Sequence, residues 1–192
     1  MDDSVAARPV GRATGDDDAA LVRAARTEPA AFDALYGRYR ARLYWYLRTR
    51  TATDEDAADP LQQVFLRVWD ALPGYRERGL PFAAWLFRIA RNAAINAARR
   101  ERPTVAWEAL SGQPTTAARD NPERTALHNE TLTRLGALLD RLDPEKRELL
   151  ALRFAAGLTV REIAAVLGAG EEATKKRLGR TIRALKEHFD DA

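Results

Sequence analysis

Apolar side chains recur every three or four residues over most of the chain, and no stretch shows the strict apolar and polar alternation of a half-buried strand. The recurrence is clear over residues 32–47, 57–72 and 82–93, and it resumes over residues 127–189. Each of these stripes is typical of a helix with one buried face. The sequence therefore predicts an all-α fold.

The helical pattern is interrupted once by a long segment that contains Pro103, Pro114 and Pro122 among small polar residues. This composition indicates a flexible linker over 103–126. Residues 1–18 are rich in aspartate and lack apolar periodicity, so they are expected to form a disordered acidic tail. The predicted architecture is two small helical domains, 19–102 and 127–192, joined by a flexible linker.

The composition excludes several classes of function. The 31 lysines and arginines barely exceed the 28 acids, so binding of a polyanion must depend on where the charges lie. There is no cysteine, no glycine-rich phosphate loop and no cluster of histidine and carboxylate ligands. We therefore expect no enzymatic activity, no cofactor, no metal site and no small-molecule substrate. No apolar run reaches membrane-spanning length and the N-terminus is acidic, which predicts a cytoplasmic protein without membrane insertion.

A helix-turn-helix is predicted near the C-terminus. Thr159 and Glu162 are spaced as a capping box, the short helix ends at Leu167 and Gly168, and a second helix starts near Glu171. One side of that helix is expected to face inward through Thr174, Leu178, Ile182, Leu185 and Phe189. The other side is basic, which suits a DNA major groove, although a solvated surface has the same charge pattern. The expected contacts with duplex DNA are Thr159, Glu172, Lys175, Lys176, Arg177 and Arg180.

A second basic helix lies in the first domain, where five arginines and one acid occur between residues 86 and 102. Arg88, Asn92 and Asn96 follow one another at one-turn intervals, and asparagine can bond base edges. The preceding loop adds arginines to an aromatic residue, a combination that suits unpaired bases. Solubility and bonds to neighbouring carbonyls explain the same residues. The candidate contacts are Tyr75, Arg76, Arg78, Arg88, Arg91, Asn92, Asn96, Arg99 and Arg100.

Four blocks in the same order resemble the extracytoplasmic-function group of the bacterial sigma-70 family: AAFDALYGRYRARLY, DPLQQVFLRVW, FAAWLFRIARNAAINAARR, and RLDPEKRELLALRFAAGLTVREIAAVLG followed by KKRL. The resemblance implies an alternative sigma factor that binds RNA polymerase core and directs it to promoters. The first domain would recognise and melt the −10 element, and the helix-turn-helix would read the −35 element. The resemblance also implies an anti-sigma factor as a partner, which no residue here identifies.

Pro60 stands where this family generally has leucine, within the block that contacts polymerase. Because proline disrupts a helix interior, we predict that a helix starts or restarts at Asp59, with 54–58 as a separate turn or a kinked extension. By resemblance, the polymerase-binding residues are Asp59, Gln62, Gln63, Leu66 and Arg67. Two alternatives are a stand-alone DNA-binding repressor or activator, and a regulatory protein that imitates a sigma factor without initiating transcription.

Overall fold

The structure is a computed structural model that describes residues 15–51, 53–76, 79–98, 136 and 138–190. These residues form helices and turns and no strand, which confirms the all-α class. The helices are α1 (Gly15–Ala25), α2 (Pro29–Arg48), α3 (Asp54–Ala71), α4 (Phe82–Ala98), α5 (Pro144–Leu150), α6 (Val160–Leu167) and α7 (Glu171–Asp190). A 3₁₀ turn, Leu72–Gly74, follows α3, and a π-helical turn, Ala151–Ala155, continues α5. The predicted linker, 103–126, lies outside the described residues.

The first domain is built around α2. Its stripe residues Leu35, Tyr39, Leu43 and Leu47 are buried, and α1, α3 and α4 all pack against this helix. Contrary to the expected tail boundary at residue 18, α1 begins at Gly15. The Asp18 carboxylate explains how α1 is fixed, because it accepts hydrogen bonds from the Arg38 guanidinium and the Tyr39 hydroxyl.

The prediction of a separate turn over 54–58 was wrong, because α3 is one helix that begins at Asp54 with Pro60 inside it. Thr53 and Asp56 form a capping box: the Asp56 amide donates to the Thr53 hydroxyl at 3.1 Å, and the Thr53 amide donates to the Asp56 carboxylate at 3.0 Å. Buried side chains before and after the proline, Ala57 and Leu61, fix the helix on both sides of it. Capping and burial thus outweigh the local cost of proline.

The second domain contains the helix ends that the sequence predicted at Asp143 and Gly168. Asp143 caps α5 by accepting from the Lys146 amide at 3.0 Å, and Pro144 occupies the first turn. Hydrogen bonds from Lys146 lower the pKa of the Asp143 carboxyl. Gly168 adopts a left-handed conformation, φ 65°, at the end of α6, as expected for a glycine C-cap.

The two domains pack against each other, although the sequence predicted separate units on a linker. The turn Ala151–Ala155 contacts α2, α6 packs on α4, and one buried cluster contains Leu43 and Phe87 of the first domain with Leu152 and Ile163 of the second. A unit as small as α5–α7 buries a modest fraction of its apolar surface alone, so packing on a neighbour completes its core.

Candidate nucleic-acid and polymerase interfaces

The outer side of α7 is a cationic surface. Lys175, Lys176 and Arg180 are exposed, and the opposite side is anchored by buried Thr174, Leu178 and Thr181. Both threonine hydroxyls donate to carbonyls four residues earlier at 2.9 Å, which satisfies them inside the fold. α7 is thus held rigidly with its lysines directed outward, as major-groove binding requires.

The predicted inward stripe of α7 needs one correction. Ile182 was expected inside but is 39% exposed, and Thr181 is buried in its place. Since neighbouring residues differ by about 100° around a helix, a stripe defined only by apolar residues can miss a buried threonine. The remaining stripe residues, Leu185 and Phe189, are half-buried.

Four of the six predicted duplex contacts have capping or ionic partners within the second domain. The Thr159 hydroxyl caps α6 by accepting from the Glu162 amide, and the Glu162 carboxylate accepts from the Thr159 amide at 2.7 Å, which confirms the capping box. The Arg177 guanidinium pairs with Glu145 of α5. Glu172 lies 4.0 Å from Lys175. These contacts position α6 and α7. Lys176 and Arg180 are exposed and have no ionic partner among the described residues, so they are the predicted contacts most accessible to DNA.

The structure describes part of the row of polar residues that was predicted on α4. Arg88 and Asn92 are exposed, one turn apart, so both side chains can reach a ligand. Asn96 lies within the helix, but its side chain is outside the described part of the chain, as are Arg99 and Arg100. Arg91 lies on another side of α4, half-buried, with its Nε 3.5 Å from the Glu148 carboxylate of α5. Of the predicted −10 contacts on α4, some are therefore exposed to solvent and one lies at the interface between the domains.

The loop before α4 places Tyr75 in the aromatic core. The ring centroid of Tyr75 lies 5.5 Å from that of Phe82 and 4.8 Å from that of Trp85. This packing fixes the Tyr75 ring at the edge of the core. Arg76 is exposed and donates to the carbonyls of Pro73 and Tyr75. Arg78 lies outside the described residues.

The predicted polymerase-binding residues all lie on the exposed side of α3: Asp59, Gln62, Gln63, Leu66 and Arg67. Leu66 is 59% exposed, and Trp69, one turn further on, is 46% exposed. The sequence reasoning missed Trp69, although both residues fall off the buried stripe that contains Val64 and Val68. The ring centroids of Trp69 and Phe32 of α2 lie 4.6 Å apart with the rings nearly perpendicular, and this packing fixes the position of Trp69.

Comparisons with known proteins match both domains. The profile of Sigma-70 region 2 matches residues 35–104, and that of Sigma-70, region 4 matches residues 138–187. ECF RNA polymerase sigma factor SigD of Mycobacterium tuberculosis (strain ATCC 25618 / H37Rv) is 34% identical over 148 residues, which are 75% of this chain and 70% of SigD. The chain belongs to the extracytoplasmic-function sigma factors of the sigma-70 family. A second ECF sigma factor, BldN of Streptomyces coelicolor, is 31% identical over 187 residues, covering 94% of this chain and 70% of BldN.

A solved structure of CnrH in complex with the cytosolic domain of CnrY resembles this sigma factor across both domains. Its TM-score is 0.66 at 28% identity, covering 91% of this chain and 97% of CnrH. Region 2 of this sigma factor thus corresponds to α2–α4, and region 4 to α5–α7. The chain is an alternative sigma factor, a transcription initiation factor that binds RNA polymerase core and promoter DNA. None of the described helices is long and apolar enough to cross a membrane.

Proposed function

We propose that this sigma factor works in the cytoplasm, recruits RNA polymerase core to promoters with defined −35 and −10 elements, and helps to melt the duplex. It catalyses no covalent step itself. The observation that carries the proposal is the presence of regions 2 and 4 in order, each with exposed cations on a well-anchored helix. A stand-alone repressor would leave the region 2 match unexplained.

The −35 element is bound by α7. Lys175, Lys176 and Arg180 supply the direct contacts, because their side chains are exposed on one rigid helix. Thr159, Glu172 and Arg177 act mainly by holding α6 and α7 in place, as their contacts within the domain support. Phosphate contacts give most of the affinity, and contacts with base edges give the sequence preference.

The −10 element is captured by α4 and the loop before it. Arg88 and Asn92 can bond a phosphate and a base edge from the same exposed side of the helix. The other proposed −10 contacts are Arg76 on the loop, together with Arg78, Asn96, Arg99 and Arg100. The Tyr75 ring, fixed by Phe82 and Trp85, supports the loop and offers its edge to an unstacked base.

RNA polymerase core binds the exposed side of α3. Leu66 and Trp69 supply an apolar centre, and the surrounding polar side chains are Asp59, Gln62, Gln63 and Arg67. Apolar anchors surrounded by polar groups are typical of the energetically important part of a protein interface. An anti-sigma factor is a further proposed partner; the related CnrH forms a complex with the cytosolic domain of CnrY.

Binding of promoter DNA with and without bacterial core polymerase tests this function. We expect weak binding of promoter fragments by the chain alone and tight, sequence-specific binding of the same fragments with core. Leu66→Ala or Trp69→Ala should weaken association with core without changing the binding of duplex DNA by the free chain. Tight specific binding by the free chain, unchanged by core, would indicate a repressor or activator instead.

A further inference from the structure

Gly179 lies inside α7, the helix of region 4 that binds the −35 element in the function proposed above. It is the ninth of the 20 residues in Glu171–Asp190. Glycine is a poorer helix former than any residue except proline, because its unfolded backbone has the most conformational freedom to lose. A glycine at this position therefore lowers the stability of the helix.

Neither the backbone nor the packing of the described residues requires a glycine at position 179. The backbone there is helical, whereas the glycines with a positive φ in the described part of the chain are Gly79, Gly157 and Gly168. A Cβ added to Gly179 would meet no atom within 4 Å, so an alanine would fit in the free protein. We therefore looked for the requirement in a molecule that α7 binds.

Gly179 faces away from the rest of the protein. The inner side of α7 is anchored by three buried residues, Thr174, Leu178 and Thr181. Successive helical residues differ by about 100°, so Gly179 lies within about 50° of the direction opposite to these three side chains. The residue is also exposed. It is therefore on the side of α7 that a DNA duplex would meet.

Cationic side chains lie next to Gly179 on the surface of α7. Residues three and four positions away are the nearest neighbours on a helix surface. For Gly179 these neighbours are Lys175, Lys176, Ile182 and Arg183, all of them exposed. Long cationic side chains on both sides of the glycine can bind the phosphates that border a groove. Their charge therefore attracts DNA to a position at which α7 has no side chain.

The width of the major groove gives the missing side chain a consequence. A helix with its side chains is about 10–12 Å across, and the major groove of B-DNA is about 12 Å wide. A helix with ordinary side chains on all sides therefore nearly fills the groove. At a glycine the helix backbone can approach a base pair more closely, as glycines allow where a backbone meets a bound phosphate.

We propose that Gly179 is a specificity-determining residue for the −35 element, because the major-groove edge of a base pair lies directly against the α7 backbone at this position. The neighbouring cations bind the flanking phosphates and hold the duplex there. A side chain at position 179 displaces that base pair and changes which bases are accepted. This inference rests on the proposed function of α7, and it adds a residue outside the predicted set of duplex contacts.

Substitutions of Gly179 test the proposal in the full chain. Because alanine favours a helix, Gly179→Ala should raise the thermal unfolding midpoint of the free chain by about 2–4 °C, measured by circular dichroism. Binding is measured with core polymerase on a promoter fragment that the original chain binds. The same measurement is made on a set of fragments in which each base pair of the −35 element is replaced in turn.

Opposite effects on stability and binding are the expected result. Gly179→Ala should weaken binding of the parent fragment about tenfold or more, and Gly179→Leu should weaken it further, because the added atoms must fit into a close-packed contact. The original chain should discriminate strongly at the one or two base pairs that lie against Gly179, and both variants should discriminate less there. Discrimination at the remaining base pairs of the element should be unchanged.

Gly37 of α2 provides a matched control. It is also an exposed helical glycine whose added Cβ would meet no atom within 4 Å, but it lies in the first domain. Gly37→Ala should raise the unfolding midpoint by a similar amount and leave the preference for −35 base pairs unchanged. Unchanged preference in both Gly179 variants, or an equal loss on the parent and every replaced fragment, would overturn the role of Gly179 and leave the proposed function intact. An original chain that binds no promoter fragment specifically with core would contradict the proposed function and this inference with it.

Discussion

Pro60 occupies the seventh position of α3 and is half-buried. Proline cannot donate the amide hydrogen that the Asp56 carbonyl would otherwise accept, and its ring crowds that carbonyl. The helix nevertheless continues, since Ala57, Leu61 and Val64 are buried across the position. Stability here is lost locally and recovered by packing.

Pro60→Leu should therefore stabilise the protein. We expect the free energy of unfolding to increase by about 2 kcal/mol, because the restored hydrogen bond exceeds the entropy that proline removes from the unfolded chain. Urea unfolding followed by circular dichroism measures this change. Ala58→Leu, at the exposed neighbouring position, is the control and should change stability little. A loss of stability in Pro60→Leu would mean that the helix requires the proline for its packing.

Substitutions at Thr159 distinguish a helix-capping role of its hydroxyl from a direct contact with DNA. Thr159→Ala should lower the free energy of unfolding by about 1 kcal/mol, because the Glu162 amide loses its acceptor. Thr159→Ser keeps the hydroxyl and should retain both stability and promoter binding. Urea unfolding and fluorescence anisotropy with a −35 duplex measure the two properties. A serine variant that is stable but binds the duplex poorly would show that Thr159 contacts DNA directly.

The sequence predicted helix ends correctly where the residues that define an end lie close together in the chain. Asp143 with Pro144, the Thr159 and Glu162 pair, and Gly168 each define a helix end through bonds within a few residues, so the sequence contains all that is needed. Contacts between distant elements were not predictable in this way. The Arg177 pair with Glu145 and the packing of Tyr75 on Trp85 depend on tertiary structure, which a linear pattern does not encode.

The exposed cations of α7 allow a quantitative prediction for DNA binding. Lys176→Ala or Arg180→Ala should weaken duplex binding at low salt, and each should reduce the slope of log affinity against log salt by about 1 if the side chain contacts a phosphate. Anisotropy titrations at several salt concentrations measure the slope. Lys186→Ala, further along the same helix, is the control. Equal effects of all three substitutions would indicate attraction by overall charge without a defined contact.

The closed packing of regions 2 and 4 is the feature of the molecule that the sequence predicted least. Arg50 and Glu148 lie 98 positions apart, and their separate helical patterns contain no sign that they meet. The apolar faces of α4 and α6 also meet in one buried cluster, so each domain completes the core of the other. The sequence predicted both domains and their order, and the structure adds the contacts between them.

A shared core predicts cooperative unfolding of the two domains. In a Trp107→Phe variant, tryptophan fluorescence reports on the first domain through Trp45, Trp69 and Trp85. Far-ultraviolet circular dichroism reports on helices of both domains. The urea transitions seen by the two methods should coincide, because loss of one domain exposes the apolar face of the other. Two separated transitions would mean that the domains unfold independently and that their interface contributes little to stability.

Run-off transcription on a pool of promoter fragments tests the sigma-factor function most directly, using purified bacterial core polymerase with and without this chain. We predict specific starts that appear only when the chain is present, and that disappear when Arg88, Asn92, Lys176 and Arg180 are all replaced by alanine. Core polymerase that initiates no specific transcript with the folded chain, on any fragment that the chain binds, would contradict the function proposed here.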